Sequence, residues 1–140
     1  MFLLDTNSVS ETRKRPEVVA PAFHLWMSSR DRRDLYLSVA TVYELEIGVL
    51  AKERTDPTQG LRLRRWVDYL VRDEFASRIL LIDTRVAMRS AVLQVPNRRN
   101  VVDAMVAATA YVHGMTVVTR NVRDFEGTGV PVLNPWGRTT

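Results

Sequence analysis

Short apolar runs alternate with stretches of helical periodicity along this chain of 140 residues. The apolar runs predict five strands, over residues 1–4, 35–38, 79–82, 115–119 and 130–133. Between them, apolar residues at helical spacing predict helices over about residues 20–29, 42–50, 61–75, 84–95 and 101–112. Strands and helices that alternate in this way are typical of a parallel sheet covered by helices, so the pattern predicts an α/β fold.

Turn and cap signals set the expected boundaries of these elements. Ser8-x-x-Glu11 and Thr41-x-x-Glu44 both match the capping box, in which a hydroxyl and a carboxylate bond the first N–H groups of a helix. Residues 56–60, Asp-Pro-Thr-Gln-Gly, indicate a turn. Asn100 is the expected N-cap of the last long helix, and Gly114 is expected to end it.

Four acids and one amide follow the predicted strands or begin the predicted helices: Asp5, Glu44, Asp103, Asn121 and Asp124. A helix between two parallel strands starts at the carboxyl edge of the sheet, where open α/β sheets bind ligands. The five residues should therefore meet there. Crowded carboxylates repel one another unless a divalent cation neutralises them, and Mg²⁺ prefers oxygen ligands. The pattern predicts a metal-dependent hydrolase of phosphodiesters.

Each acid also has a purely structural explanation. Asp5 suits a turn or a helix cap, and Glu44 completes a capping box. Asp103 is the third residue after Asn100 and so belongs to a helix start, while Asp124 lies in a polar loop. However, Glu44 and Asp103 stand among apolar neighbours, and an ionised carboxylate in such surroundings needs a partner.

Composition narrows the chemistry. The chain is 46% hydrophobic, which suits one domain over residues 1–140. It has no cysteine, so a metal ion would be held by oxygen or by His24 and His113, and oxygen is the expected donor. The apolar start reaches Asp5 after four residues, unlike a secretory signal, and no apolar stretch approaches the roughly 20 residues that span a bilayer. We expect a cytoplasmic protein without a membrane segment.

The formal charge of +4 favours polyanionic partners. Arginine and lysine residues occur in short clusters, over residues 13–15, 30–33, 62–65, 98–99 and 120–123. Each cluster alone fits a solvated surface. Beside an acidic metal pocket, however, positive charge would help the phosphates of RNA or DNA to approach the carboxylates.

Several motifs occur in order along essentially the whole chain. They are LLDTN at 3–7, Leu37-Ser38 followed by TVYEL at 41–45 and Gly48, VDA at 102–104 followed by AATA at 107–110, VTRN at 118–121 followed by Asp124-Phe125, and NPW at 134–136. In this order they resemble the PIN-domain ribonucleases, in particular the VapC and FitB toxins of bacterial toxin–antitoxin pairs. The closing NPW looks like the end of the FitB-like branch.

The resemblance implies a three-layer α/β/α fold with a central parallel sheet, dependence on Mg²⁺ or Mn²⁺, and endonucleolytic cleavage of RNA. It also implies a VapB-like antitoxin that blocks the pocket. The protein would contact DNA only indirectly, through this antitoxin. A homodimer is implied as well. Several apolar residues of the early helices either serve such an interface or belong to the core: Phe23, Trp26, Val42, Leu45 and Val49.

By the same resemblance, Asp5, Glu44 and Asp103 match the first three acids of the family's pocket. Asp5 and Asp103 would be the principal metal ligands, and Glu44 would help to hold the ion or take a proton from the attacking water. Where many members carry a further acid, this chain has Asn121, with Asp124 three residues later to restore the charge. Neighbouring polar groups would orient the carboxylates: Thr6, Asn7 and Thr119.

Two other functional classes remain open at this point. A phosphatase with Asp5 as nucleophile would also place an acid after the first strand, but the haloacid-type pattern has a second aspartate where this chain has Asn7. A non-catalytic nucleic-acid-binding module would use the same arginines, yet it would have no need for carboxylates gathered at one edge.

Overall fold

The central sheet has five parallel strands in the computed structural model, which describes residues 1–137. The strands are β1 (Phe2–Leu4), β2 (Leu35–Ser38), β3 (Ile79–Leu80), β4 (Thr116–Val118) and β5 (Val132–Leu133). Their order across the sheet is β3-β2-β1-β4-β5, and every pairing is parallel. The predicted parallel sheet is confirmed. The domain expected over 1–140 includes residues 138–140, which lie outside the described residues.

Helices connect the strands at nearly every crossing. They are α1 (Thr6–Glu11), α2 (Pro21–Ser28), α3 (Val39–Thr55), α4 (Pro57–Tyr69), α5 (Thr84–Val92) and α6 (Val101–His113). Two 3₁₀ helices, Arg32–Asp34 and Val122–Phe125, and a π-helical segment, Leu70–Glu74, complete the described elements. None of the helices within residues 1–137 has the length and apolar character that a membrane crossing requires.

The two faces of the sheet are covered by different helices. Leu3 and Val117 point to one face, where they pack in a buried cluster with residues of α6 and with Leu93, which directly follows α5. Leu4 and Val118 point to the other face and pack with residues of α1, α3 and α4. Successive strand residues alternate between the faces, as they must in a pleated strand. The expected three-layer α/β/α architecture is therefore confirmed.

The apolar residues of the early helices are mostly core. Phe23, Leu45 and Val49 are buried, with at most 6% of their surface exposed. Trp26 and Val42 are partly buried, and Trp26 packs edge-on against Phe2 with the ring centroids 5.2 Å apart. The sequence left open whether these residues form a homodimer interface or belong to the core, and the structure favours the core.

Both capping-box predictions are wrong. Helix α1 begins at Thr6, because Asp5 is its N-cap and accepts a hydrogen bond from the Thr6 N–H at 2.9 Å. Helix α3 begins at Val39, because the Ser38 hydroxyl accepts from the Ala40 N–H at 3.0 Å. The chain passes from each strand into the following helix within a residue, so the boxes at 8–11 and 41–44 fall inside helices rather than at their starts.

The turn predicted over residues 56–60 is reduced to Asp56. This residue caps α4 by accepting a hydrogen bond from the Gln59 N–H at 3.2 Å, and Pro57 is the first helical residue. Gly60 lies inside α4 and faces α3: a Cβ atom there would come within 2.6 Å of Glu53 Cα. The glycine thus marks close contact between two antiparallel neighbours rather than a loop.

This contact predicts opposite effects for two glycine substitutions. Gly60→Ala should destabilise the fold by about 1–3 kcal/mol, because the added methyl group forces α3 and α4 apart. Gly48→Ala, inside α3 where a Cβ has nothing within 4 Å, should stabilise it by about 0.5–1 kcal/mol through helix propensity. Urea denaturation of the two variants measures both effects, and destabilisation of equal size in both would contradict the packing argument.

Candidate active site

The order of the strands reverses next to β1. The chain adds β2 and β3 on one side of β1 and then β4 and β5 on the other. In open α/β sheets, the crevice at such a switch point, beyond the carboxyl ends of the strands, is the usual ligand site. Asp5 follows β1 and Thr119 follows β4, so both lie at this crevice.

Asp5 is buried and held from three sides. Its Oδ1 accepts from the Thr6 N–H at 2.9 Å, and its Oδ2 accepts from the Thr119 hydroxyl at 2.9 Å and from Asn7 Nδ2 at 3.3 Å. Burial raises the pKa of Asp5 above its ordinary value, against the lowering effect of the hydrogen bonds from Thr119 and Thr6. The carboxylates of Glu44 and Asp124 raise the pKa further.

Thr119 and Asn7 join the loop after β4 to the start of α1. The Thr119 hydroxyl accepts from Asn7 Nδ2 at 3.2 Å and from the Asn121 N–H at 3.0 Å. Asn7 Oδ1 accepts from the Arg120 N–H at 3.0 Å. The contacts expected between these two residues and the carboxylate of Asp5 are present in the structure.

Glu44 is brought to the same edge by α3. The Thr6 hydroxyl donates a hydrogen bond of 2.5 Å to Glu44 Oε1. Thr6 is also the residue whose N–H binds Asp5, so this one threonine connects the two carboxylates. Glu44 is partly buried, and its partner is a residue 38 positions away rather than the start of its own helix.

Asp103 occupies the first turn of α6. Asn100 caps this helix as predicted, because its Oδ1 accepts from the N–H groups of Val102 at 2.9 Å and Asp103 at 3.1 Å. Burial raises the pKa of Asp103 to about 6, and the charges of Asp5, Asp124 and Glu44 add to the rise. The four acids that the sequence singled out therefore lie close enough to act on one another.

Asn121 precedes the 3₁₀ helix that follows β4, and Asp124 belongs to that helix. Asn121 precedes the helix and is joined to the site through its own N–H, which binds Thr119. Asp124 lies within it, is exposed, and contributes its charge to the raised pKa values of Asp5 and Asp103. The segment forms a helical turn, which places Asp124 on the side of the other carboxylates.

The carboxylates do not form a closed cage. Within residues 1–137, no three Asp, Glu or His side chains stand close enough to make a complete metal site. Mg²⁺ usually keeps several waters and is held by only one or two carboxylates, so an open set of acids fits it better than a closed one. His113 ends α6, whose first turn carries Asp103, so that histidine lies at the far end of the helix.

Two serines support the site in roles that the sequence analysis did not predict. Ser8 is buried and donates to the Val118 carbonyl at 2.7 Å, which fixes α1 against β4. Ser38 caps α3 and so sets the start of the helix that carries Glu44. A small hydroxyl residue at a strand-to-helix junction is the signal for such a cap, and Ser38 directly ends the apolar run at 35–38.

The closing NPW segment packs against α1 and α2. Trp136 Nε1 donates to Glu11 Oε1 at 3.3 Å, and the Trp136 ring lies 4.6 Å from that of Phe23, centroid to centroid. Glu11 is buried, which by itself raises its pKa, but its hydrogen bonds from Lys14 and Trp136 outweigh burial and lower the pKa. Arg120 lies 5.7 Å above the Trp136 ring, so this segment also contacts the loop beside the site.

Comparisons with known proteins point to one family. A family model described as PIN domain matches residues 2–130. The chain is 36% identical to "Toxin FitB" of Neisseria gonorrhoeae over 97% of this chain and 99% of the toxin. It is 34% identical to "VapC ribonuclease Y4jK" of Sinorhizobium fredii over 97% of this chain and 98% of that protein. The solved structure "FitAB bound to IR36 DNA fragment" contains a chain that is similar with a TM-score of 0.84 and 32% identity, covering 100% of this chain and 99% of that one.

The raised pKa of Asp103 predicts a pH-dependent stability in the absence of metal. A carboxyl group with a pKa of about 6 when folded and 3.8 when unfolded binds its proton more tightly in the folded chain. The protonated Asp103 therefore stabilises the fold at pH values below its unfolded pKa of 3.8, and this stabilisation is lost as the pH rises through about 6.

Asp103→Asn should remove this loss. In EDTA, the free energy of unfolding of the variant minus that of the wild type should increase between about pH 4 and pH 7. Urea denaturation of both proteins at several pH values measures this difference in the free energy of unfolding. Groups that titrate elsewhere in the chain contribute equally to both proteins, so their effect cancels. A difference that does not vary with pH would contradict the electrostatic description of the site.

Proposed function

Because this chain belongs to the PIN-domain family, we propose that it is a Mg²⁺-dependent endoribonuclease and the toxin of a type II toxin–antitoxin pair. The observation that carries the proposal is the gathering of Asp5, Glu44, Asp103 and Asp124 at the switch point of the sheet. Glu44 and Asp124 raise the pKa of Asp5, and these two and Asp5 raise that of Asp103. Carboxylates so placed destabilise one another until positive charge is supplied.

The residues present fit a hard divalent cation. Asp5 and Asp103 would be its principal ligands, with Mn²⁺ as a possible substitute for Mg²⁺, because both ions prefer oxygen donors. Such an ion, when bound, lowers the pKa of a coordinated water and neutralises charge on a phosphodiester. Burial and neighbouring acids disfavour the charged forms of Asp5 and Asp103, and a cation at this place would stabilise both charged forms.

The protein groups have distinct tasks in the proposed hydrolysis. Thr119, Asn7 and the Thr6 N–H fix the Asp5 carboxylate, so that it need not reorganise during the reaction. Thr6 holds one oxygen of Glu44, which leaves the other oxygen to accept the proton of the attacking water. Asp124, together with Asn121, would position a second ion or a water.

The proposed partners follow from the relatives. We expect a VapB-like antitoxin to bind the protein and block the site, and we expect contact with DNA only through that antitoxin. We also propose a homodimer in the cytoplasm. Exposed apolar residues on one side of α3 support a contact between copies: Tyr43, Ile47 and Leu50, of which 61%, 49% and 55% of the surface is exposed.

Incubation of the purified protein with RNA separates the proposed activity from its alternatives. The proposal expects internal cleavage with Mg²⁺ and none with EDTA. A binding module would retain RNA in both conditions without cutting it. An aspartate-nucleophile phosphatase would release phosphate from monoesters and leave the RNA chain intact. Asn7 is evidence against the phosphatase. Its amide donates a hydrogen bond to Asp5, and it lacks the carboxyl group that would protonate a leaving group.

Loss of either principal ligand should abolish cleavage. Asp5→Asn and Asp103→Asn should each lower Mg²⁺-dependent cleavage by more than about 100-fold, because even residues that only support a metal ligand contribute roughly 10–100-fold. The fold should persist, since asparagine also caps helices well and so can replace Asp5 at the start of α1. Gel analysis of a labelled RNA measures the activity, and circular dichroism checks the fold.

A matched control is Asp34→Asn. Asp34 is exposed and precedes β2, at the amino edge of the sheet opposite the site. This variant removes the same charge and should cleave like the wild type. Retained cleavage in the Asp5 and Asp103 variants, or an equal loss in the Asp34 variant, would contradict the assignment.

Thr119→Val tests the support of Asp5. Valine has nearly the shape of threonine but cannot donate to Asp5 Oδ2, so we expect the apparent affinity for Mg²⁺ to fall by about 10–100-fold. Titration of cleavage with Mg²⁺ measures this, and saturating Mg²⁺ should restore part of the rate. Thr116→Val, a partly buried residue at the amino end of β4, is the control and should leave the Mg²⁺ dependence unchanged.

A further inference from the structure

A cleft rich in arginine opens between the end of α5 and the start of α6. Its volume is about 470 Å³, and its lining includes Arg89, Arg98, Arg99 and Gly127. The other lining residues are apolar or neutral, so no carboxylate contributes to its wall. Three positive charges around one concave surface make it a candidate site for an anion.

The charges in the cleft are not neutralised by the protein. Within residues 1–137, no carboxylate lies within salt-bridge distance of Arg89, Arg98 or Arg99. Arg89 donates to the Thr128 carbonyl at 3.0 Å, and Arg99 donates to the Glu126 carbonyl at 2.6 Å. Neutral carbonyl oxygens fix the direction of the two guanidinium groups and leave their positive charge available to a ligand.

The loop after the 3₁₀ helix is shaped around these two arginines. Gly127 and Gly129 have φ angles of 74° and 82°, which favour glycine. A Cβ atom would lie 3.0 Å from Arg99 Nη2 at the first and 3.2 Å from Arg89 Nη2 at the second. Arg89 also stacks 3.7 Å from the Tyr111 ring centroid. Both guanidinium groups are thus anchored, whereas Arg98 is exposed and makes no side-chain hydrogen bond to residues 1–137.

The cleft and the acidic site are built on the same two segments of the chain. Arg99 precedes Asp103 by four residues, with the cap of α6 between them, and Gly127 follows Asp124 by three. A strand of RNA with one phosphodiester among the carboxylates would have a neighbouring phosphodiester within reach of the cleft. Such a strand needs positive charge beside the acidic pocket, because its phosphates and the carboxylates repel each other.

We propose that this cleft is a phosphate-binding subsite that holds a phosphodiester of single-stranded RNA next to the one that is cleaved. Arg98 contacts the phosphate directly, and Arg89 and Arg99 supply a fixed positive field. The inference rests on the proposed function, since it assigns the neighbouring part of the same substrate. It adds a specific anchor that explains how the strand is held against the acidic edge.

The test measures binding separately from cleavage. A fluorescent single-stranded RNA is titrated with the Asp103→Asn protein, alone and combined with Arg98→Ala, in Mg²⁺, and anisotropy reports the affinity at several salt concentrations. Arg54→Ala is the matched control, because Arg54 is exposed near the end of α3, away from the edge that carries Glu44. Thermal melts of all proteins verify that they are folded.

Arg98→Ala should weaken RNA binding roughly tenfold, the size expected for a lost hydrogen bond to a charged group. The slope of log affinity against log salt should become shallower by about 0.7, as for one lost phosphate contact in a single strand. Arg54→Ala should change neither quantity. Equal effects of the two substitutions would overturn the subsite, because they would reflect net charge alone.

A competitor distinguishes phosphate from other anions. Polyuridine should displace the labelled RNA more effectively than polyglutamate of equal charge, and Arg98→Ala should reduce that preference. Equal competition by both would overturn the phosphate assignment and indicate a surface for an acidic protein segment instead. If the wild-type protein fails to cleave RNA, the proposed function fails, while the binding measurement still decides whether Arg98 anchors a phosphate.

Discussion

Parallel hydrogen bonding of β1 between β2 and β4 is the constraint on which the candidate site depends. It aligns Leu4 with Val118, so that the next residues of both strands, Asp5 and Thr119, emerge side by side. Their side chains then form a hydrogen bond of 2.9 Å although they are 114 positions apart. A slip of one residue in this register would turn Leu3 and Leu4 to the wrong faces, so the cores on both sides of the sheet enforce the geometry of the site.

The same alignment gathers negative charge at one edge of the sheet. Asp5 is buried, and the pKa of Asp103 reaches about 6 because burial and neighbouring acids disfavour its charged form. Hydrogen bonds from Thr6 and Thr119 compensate only part of this for Asp5. Natural proteins keep such unfavourable arrangements mainly at functional sites. The arginines of the cleft between α5 and α6 are the complementary case, since no carboxylate within residues 1–137 neutralises their charge. A phosphodiester strand with a metal ion would satisfy both sets.

Sequence patterns predicted the elements well and the local contacts poorly. Strand and helix positions follow from apolar periodicity, and the acids were located because parallel strands share a carboxyl edge. The capping box at 41–44 failed because the partner of Glu44 is Thr6, 38 positions away, and no local pattern encodes that contact. The turn at 56–60 failed for a similar reason: Gly60 is required by contact with α3, not by chain reversal. The arginine cleft depends on carbonyl groups of a folded loop, which composition cannot show.

Asn121 illustrates how the site retains its charge despite an unexpected residue. At this position the resemblance implied an acid, and an amide cannot supply the charge. The structure uses the backbone of Asn121 instead, because its N–H binds the Thr119 hydroxyl that holds Asp5. The following 3₁₀ helix then presents Asp124, whose charge acts on both Asp5 and Asp103. Since Asp124 is exposed, it acts through the electrostatic field with little loss of hydration.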